Sequence, residues 1–234
     1  VIQRNPHTGI KKLAKQKRYK RMVDYKGVIF DFNGTLFFDN DKHVLAWNEI
    51  SRLLRGCDIT DKELHGKFNG TPNDQIIKYM TDGKASIEEV KEYSSKKEAF
   101  YREFCKKDKK SFHLVKGSVE YFEWLTNHKL PYTIASASIK ANIDFFRESF
   151  HLDEYIAPET LVYDDGTYEN KIQMFLDASQ KIGVDIKDIL IIEDSFSGIK
   201  NAYKAGCDKI LVVCEKDKED EYKDLPGVLG TMQD

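Results

Sequence analysis

Gly27-Val28-Ile29-Phe30-Asp31-Phe32-Asn33-Gly34-Thr35 is the stretch that decides the fold. A short run without charge ends abruptly in a carboxylate, an amide and a Gly-Thr turn. Apolar throughout rather than alternating, such a run reads as a strand buried on both faces, which belongs in a parallel sheet covered by helices. The pattern recurs at Pro131-Tyr132-Thr133-Ile134-Ala135, at Asp188-Ile189-Leu190-Ile191-Ile192 and at Lys209-Ile210-Leu211-Val212-Val213. Tyr155-Ile156-Ala157 reads as a weaker fifth strand. Turn residues follow each run, and usually a helix-periodic segment follows those, so the chain predicts an α/β fold.

Residues 40–112 break this rhythm. Val44, Trp47, Ile50 and Leu54 recur at helical spacing and stop near Gly56. Ser86-Ile87-Glu88-Glu89 has the form of a capping box and opens a long charged helix through Phe104. With no strand between them, these helices predict a helical domain inserted directly after the first strand.

Ligands of an open parallel sheet bind outside the carboxyl ends of its strands. The first strand delivers Asp31, Asn33, Gly34 and Thr35 there, the second Ser136, Ala137 and Ser138, and the strand ending at Ile192 delivers Glu193, Asp194 and Ser195. Lys171 opens an apolar helical pattern between them. Clustered carboxylates repel one another unless a divalent cation neutralises them, and all-oxygen donors suit Mg2+. A carboxylate in such a cluster can attack phosphorus and form an acyl phosphate. A lysine, a hydroxyl and a helix N-terminus beginning at Ser195 would stabilise the charge on the transferred group.

In this order the segments resemble the motifs of the haloacid dehalogenase superfamily, in particular the β-phosphoglucomutase and phosphoglycolate-phosphatase-like group with a helical cap. Asp31-Phe32-Asn33-Gly34-Thr35-Leu36 is similar to DxDGT[LV], Ala135-Ser136-Ala137-Ser138 to the second motif, Lys171 to the lysine of the third, and Glu193-Asp194-Ser195 with Gly198-Ile199 to the fourth. The likeness spans about residues 25–214. It implies a Rossmann-like doubly wound parallel sheet, with a core of 22–39 and 113–234 and a cap of 40–112. It also implies an enzyme that binds Mg2+ through Asp31, the Asn33 main-chain carbonyl, Glu193 and Asp194. Asp31 would be the nucleophile, with Ser136 and Lys171 holding the phosphoryl group. Gly34, Thr35, Ala137 and Ser138 would line the substrate site. His43 and Trp47 resemble a cap-hinge HxxxW element, Lys97 a cap lysine that reaches substrate, and Asn73 falls where the mutase keeps an arginine. Cap closure is expected, with hinges near 36–41 and 108–116.

One position departs from the family in a way that bears on rate. Phosphatases and mutases of this kind have an aspartate two residues after the nucleophile, acting as general acid and then base. Here it is Asn33, whose amide transfers no proton at ordinary pH, a loss typically of about a hundredfold to ten-thousandfold. Three functions follow. The first is a slow Mg2+-dependent phosphatase of a small phosphorylated metabolite, favouring good leaving groups, with a persistent phospho-Asp31. The second is a phosphosugar mutase, and the third a catalytically impaired protein that binds a phospho-ligand.

The remaining composition narrows the setting. In 234 residues, 41% hydrophobic and 32% charged, there is room for one domain carrying an insertion. Residues 1–21 hold eight basic and no acidic side chains, leaving a net −10 for the rest of a chain at −2 overall. An acidic body argues against nucleic-acid binding by the main domain. The leader reads as a flexible extension, with Met22 a natural start. No apolar run is long enough to span a bilayer. Cys57, Cys105, Cys207 and Cys214 form no CxxC pair and read as reduced thiols of a cytoplasmic protein. A monomer is expected.

Overall fold

The structure is a computed structural model describing residues 24–68 and 71–233. The basic leader at 1–21 and Met22 lie outside the described residues. Two compact units are present, one comprising Phe37–His113 and the other the sequence up to Leu36 with Leu114–Asp234.

The second unit holds a six-stranded sheet. Its strands are β1 (Gly27–Phe30), β2 (Tyr132–Ile139), β3 (Val162–Asp164), β4 (Ile189–Glu193), β5 (Ile210–Val213) and β6 (Val228–Met232), in the order β3-β2-β1-β4-β5-β6. Every neighbouring pair is parallel. The longer helices of the described residues, in order, are α1 (Asn40–Arg55), α2 (Asn73–Met80), α3 (Ile87–Lys107), α4 (Ser118–Asn127), α5 (Lys140–Phe150), α6 (Lys171–Lys181) and α7 (Phe196–Lys204), with shorter helical turns between and after them.

The uninterrupted apolar strands are apolar because both their faces are covered. Successive side chains of a strand point to opposite faces. Ile29 joins Met174, Phe175 and Ala178 of α6 and Ile199 and Ala202 of α7 in one buried cluster. Phe30, the next residue, meets Phe122 of α4 edge-on at 5.3 Å. Beyond the strand, Phe32 stacks on Phe146 of α5 at 4.4 Å.

The winding positions the site. From β1 the chain builds outward to β2 and β3, then returns past β1 to lay down β4 on its other side. The direction of winding thus reverses between β1 and β4, and a crevice opens at their carboxyl ends. Phe30 is in register with Ile192, and the Asp31 N–H donates to the Ile192 carbonyl at 2.9 Å. Asp31 and Glu193 therefore leave the sheet on adjacent strands.

Two expectations about strands fail. Tyr155-Ile156-Ala157 is not a strand: it lies between helical turns at Leu152–Glu154 and Pro158–Thr160. Ile156 is 1% exposed, so its apolar character records burial, and Pro158 rigidifies the following turn. The strand there is β3, which pairs with Ala135 and Ser136. The sixth strand, β6, was not anticipated.

The Phe37–His113 unit is helical. The Ser86 side chain accepts from the Glu89 N–H and the Glu89 carboxylate from the Ser86 N–H, so α3 begins with the expected capping box. Trp47 and Ile50 of α1 pack with Phe68, with Ile76, Ile77 and Met80 of α2, and with Val90 of α3. Gly56, at φ +75°, ends α1 in the left-handed conformation. No described helix is long and apolar enough to cross a membrane.

Candidate active site

Three carboxylates and one ammonium meet at the β1–β4 crevice. Asp31, Glu193 and Asp194 each place an oxygen within 4.8 Å of the others. Lys171, the first residue of α6, reaches Asp31 Oδ1 and Glu193 Oε1 at 2.7 Å each. Asp31 is 6% exposed and Glu193 fully buried. A single positive charge thus faces three negative ones in a largely dry site.

Burial pushes the Asp31 carboxyl up from 3.8 to about 6; the Lys171 charge opposes this and the Glu193 charge adds to it. Burial, then the charges of Asp31 and Glu193, push Asp194 up from 3.8 to about 8. Burial alone would lower the Lys171 ammonium, but the charges of Asp31 and Glu193 outweigh that and hold it above its ordinary range. A cluster so short of positive charge, with hard oxygen donors and neither His nor Cys among them, fits a hard divalent cation.

Glu193 braces the site. Its Oε1 takes the Lys171 bond, while Oε2 accepts from the backbone N–H groups of Asp194 (2.8 Å) and Ser195 (2.7 Å) and from the Ser195 hydroxyl (3.0 Å). Ser195 Oγ also accepts from the Gly198 N–H at 3.0 Å, capping α7. Two glycines make this closeness possible. A Cβ on Gly198 would lie 1.7 Å from Glu193 Oε1, and one on Gly34, at φ +76°, would lie 2.1 Å from Asp194 Oδ2.

That overlap gives a prediction. Gly183 has a similar φ of +71° with open space around its missing Cβ. Gly183→Ala is expected to cost only the left-handed strain, about 1 kcal/mol. Gly34→Ala adds displacement of Asp194 and is expected to cost at least about 2 kcal/mol more. Urea unfolding of the two variants checks this; equal losses would mean that Gly34 serves only its turn.

The second strand contributes two hydroxyls. Ser138 Oγ donates to Asn33 Oδ1 at 2.7 Å and Ser136 Oγ to the same atom at 3.4 Å. Ala137, between them, is exposed. Thr35 is 3% exposed, and its Oγ1 is a buried side-chain atom with no hydrogen-bond partner among the described residues. A buried orphan hydroxyl four residues after Asp31 is a natural donor for a ligand oxygen. Of the residues expected from sequence, the structure therefore brings Asp31, Lys171, Glu193 and Asp194 into one cluster and Asn33, Ser136 and Ser138 into another, the two joined along the chain by Phe32.

His43, Asn73 and Lys97 come together separately, inside the Phe37–His113 unit. Lys97, 2% exposed, bonds His43 Nδ1 and Glu98 Oε1 at 2.8 Å each, and Asn73 Nδ2 donates to Glu98 Oε1 at 2.7 Å. His43 Nε2 lies 3.3 Å from Asp39 Oδ2, and the Tyr101 hydroxyl donates to that same oxygen. The His43 ring stacks on Tyr101 at 4.2 Å, and the Lys97 ammonium lies over the rings of Trp47 and Tyr101. Trp47 is a core residue of this unit, 5% exposed. Asp39, Glu98 and Tyr101 were missed in sequence. Their spacing held the signal, since Asp39 and His43, and Lys97 and Tyr101, lie four apart.

The carboxylate cluster and lysine lie at the switch point of a doubly wound sheet, where ligands of such sheets bind. A model of the haloacid dehalogenase-like hydrolase family matches residues 28–212, and the chain belongs to that family. It is similar to a family IA, variant 3 hydrolase from Entamoeba histolytica, with 31% identity, 88% of this chain and 92% of that one covered, and a TM-score of 0.82. A β-phosphoglucomutase from Clostridium difficile shares the fold at 18% identity and a TM-score of 0.68, over 82% of this chain and 86% of that one. So does CbbY from Rhodobacter sphaeroides, solved in complex with phosphate, at 15% identity and a TM-score of 0.68 over 82% and 87%.

Proposed function

We propose that this chain is a Mg2+-dependent phosphatase of a small phosphorylated metabolite, working through an aspartyl-phosphate at Asp31 and slowed by Asn33. One observation carries the reading: a buried carboxylate, Asp31, is held by Lys171 at 2.7 Å beside Asp194, at the switch point of the sheet. Asp31, Asp194 and the Asn33 main-chain carbonyl would hold the ion. Glu193, with its oxygens already engaged, would add charge and orient Lys171. Bound there, Mg2+ supplies positive charge that offsets both the clustered carboxylates and the phosphoryl oxygens. Asp31 attacks phosphorus, the bond to the leaving oxygen breaks, and its electron pair departs with that oxygen. Lys171, the Thr35 hydroxyl and the N-terminus of α7 stabilise the phosphoryl charge, while Ser136, whose proton is turned to Asn33, acts through that residue. The network of His43, Asn73 and Lys97 would sit in the cap that governs substrate choice.

Asn33 also favours a second reading, a binding protein that holds phospho-ligand without turning it over, because the side chain cannot pass a proton to a leaving group.

The test joins stability to turnover. A group whose folded pKa is raised contributes stability in full below its unfolded value and loses it as pH rises through the folded one. Asp194 rises from 3.8 to about 8, so the metal-free protein should weaken between pH 4 and pH 8. Mg2+ should therefore raise Tm more at pH 8 than at pH 5. Asp31→Asn should lower phosphatase turnover at least about a thousandfold. Equal Mg2+ stabilisation at the two pH values, or full activity in Asp31→Asn, would defeat the reading.

A further inference from the structure

Asn33 is held in one orientation. Its Oδ1 accepts from the Ser138 hydroxyl at 2.7 Å and the Ser136 hydroxyl at 3.4 Å. Ser136 Oγ also accepts the Ser138 backbone N–H at 3.2 Å, which leaves its own proton available for Asn33 Oδ1. The carboxamide oxygen therefore faces the end of β2, and the two Nδ2 protons lie on the other branch of the side chain. Strand geometry places both hydroxyls, because residues two apart project to the same side. The register of β2 with β3 also shifts between Ser136 and Ile139, which loosens the strand where the hydroxyls turn toward Asn33. Ser136 is 1% exposed, so this support is internal to the fold.

We propose that Ser138 is a positioning residue. Its hydroxyl, backed by Ser136, fixes the Asn33 carboxamide so that Nδ2–H stands as a preset donor to the leaving-group oxygen of the phosphoryl substrate. The substrate class that suits such a donor is the acyl phosphates and the phosphate esters of enols and phenols. This inference rests on the phosphatase reading above. In the first step an Asp31 oxygen bonds to phosphorus, the phosphorus–leaving-oxygen bond breaks, and the electron pair stays on the departing oxygen. That oxygen leaves as a carboxylate, enolate or phenolate, hydrogen-bonded to Nδ2–H and taking no proton from it. A carboxamide N–H donates a hydrogen bond without being an acid at neutral pH, so it stabilises a weakly basic anion but cannot neutralise an alkoxide. In the second step a water oxygen bonds to phosphorus, the bond to Asp31 breaks and returns its electron pair to the carboxylate. The water's proton passes to solvent as inorganic phosphate leaves.

Two measurements decide it. The first uses side-chain amide 1H–15N spectra of the metal-free protein, with the Asn33 pair identified by its disappearance in Asn33→Asp. Ser138→Ala should shift that pair and speed its exchange with solvent, whereas Ser138→Thr, which keeps the hydroxyl, should leave it near its wild-type position. A pair that Ser138→Ala does not move overturns the orientation. The second measures kcat and KM with Mg2+ for acetyl phosphate and for aryl phosphates of increasingly basic phenols. Ser138→Ala should steepen the dependence of kcat/KM, which reports formation of phospho-Asp31, on the leaving group, lowering it about tenfold more for the most basic phenol than for acetyl phosphate. A uniform loss across the series would show a merely structural serine and overturn the role. If wild type hydrolyses none of the series, the phosphatase reading falls and the substrate class with it, while the amide spectra still decide whether Ser138 orients Asn33.

Discussion

Lys171→Met is expected to cost about 3–5 kcal/mol, because it leaves Asp31 and Glu193 buried without the cation they share. Against a typical domain stability of about 5–15 kcal/mol, that brings the protein close to unfolding. Packing is not the cause. Methionine replaces most of the aliphatic stem, and Phe175, over whose ring the ammonium lies, keeps a neighbour. The loss should depend on pH, and its sign follows from the charges. Without Lys171 the Asp31 carboxyl rises further, so the folded variant holds a proton that the unfolded chain releases. Its stability is then retained in acid and lost as pH rises through the raised value. Urea unfolding at pH 5 and pH 8 should show the variant near wild type at the lower pH and far below it at the higher. A deficit of the same size at both would mean that the lysine acts by packing, and that the carboxylates do not depend on it.

Lys171 also shows how far the sequence could be read. Its partners lie 140 and 22 residues away, yet the strand ends that carry them were legible, because β1 and β4 are apolar runs that give way to carboxylates, whereas β2 continues past Ser136 and Ser138 to Ile139. What sits at the carboxyl end of a buried strand follows from chain order alone, so Asp31, Ser136, Glu193 and Asp194 could be found without coordinates. Short or unusual strands were not legible. β3 is three residues long and partly exposed, and β6 carries Gly230 and Thr231 in place of the expected apolar run. Ile156 was misassigned because a buried isoleucine looks alike in a strand and in a turn. The partners of Lys97 were obscured for another reason. It stands in a run of charges that reads as solvent-exposed helix, and only the packing of α1 against α3 shows that Lys97 and Glu98 face inward. Both oxygens of Glu193 are engaged, which depends on Gly198 letting the backbone come close, and no spacing rule announces that.

Asn33→Asp is expected to raise turnover of acyl and aryl phosphates, and the size of the gain is informative. Restoring a positioned acid is typically worth about a hundredfold to ten-thousandfold. The hydroxyls that suit the amide oxygen work against the upper figure. Ser138 at 2.7 Å and Ser136 at 3.4 Å would donate to a carboxylate as readily as to an amide, and donors to the charged form hold an acid ionised. An introduced carboxyl kept ionised in this way is a poor acid for the leaving group but a competent base for water. The single variant should therefore gain near the low end, about a hundredfold, chiefly in breakdown of phospho-Asp31. Its adduct, expected to persist in wild type, should become short-lived, which intact-mass measurement after rapid quench would read. Adding Ser138→Ala to Asn33→Asp removes the stronger donor, lets the carboxyl keep its proton to higher pH, and should extend the gain to alkyl leaving groups. Were Asn33→Asp no faster than wild type on any phosphate ester, the asparagine would not be what limits this enzyme, and the proton would have to come from elsewhere in the site.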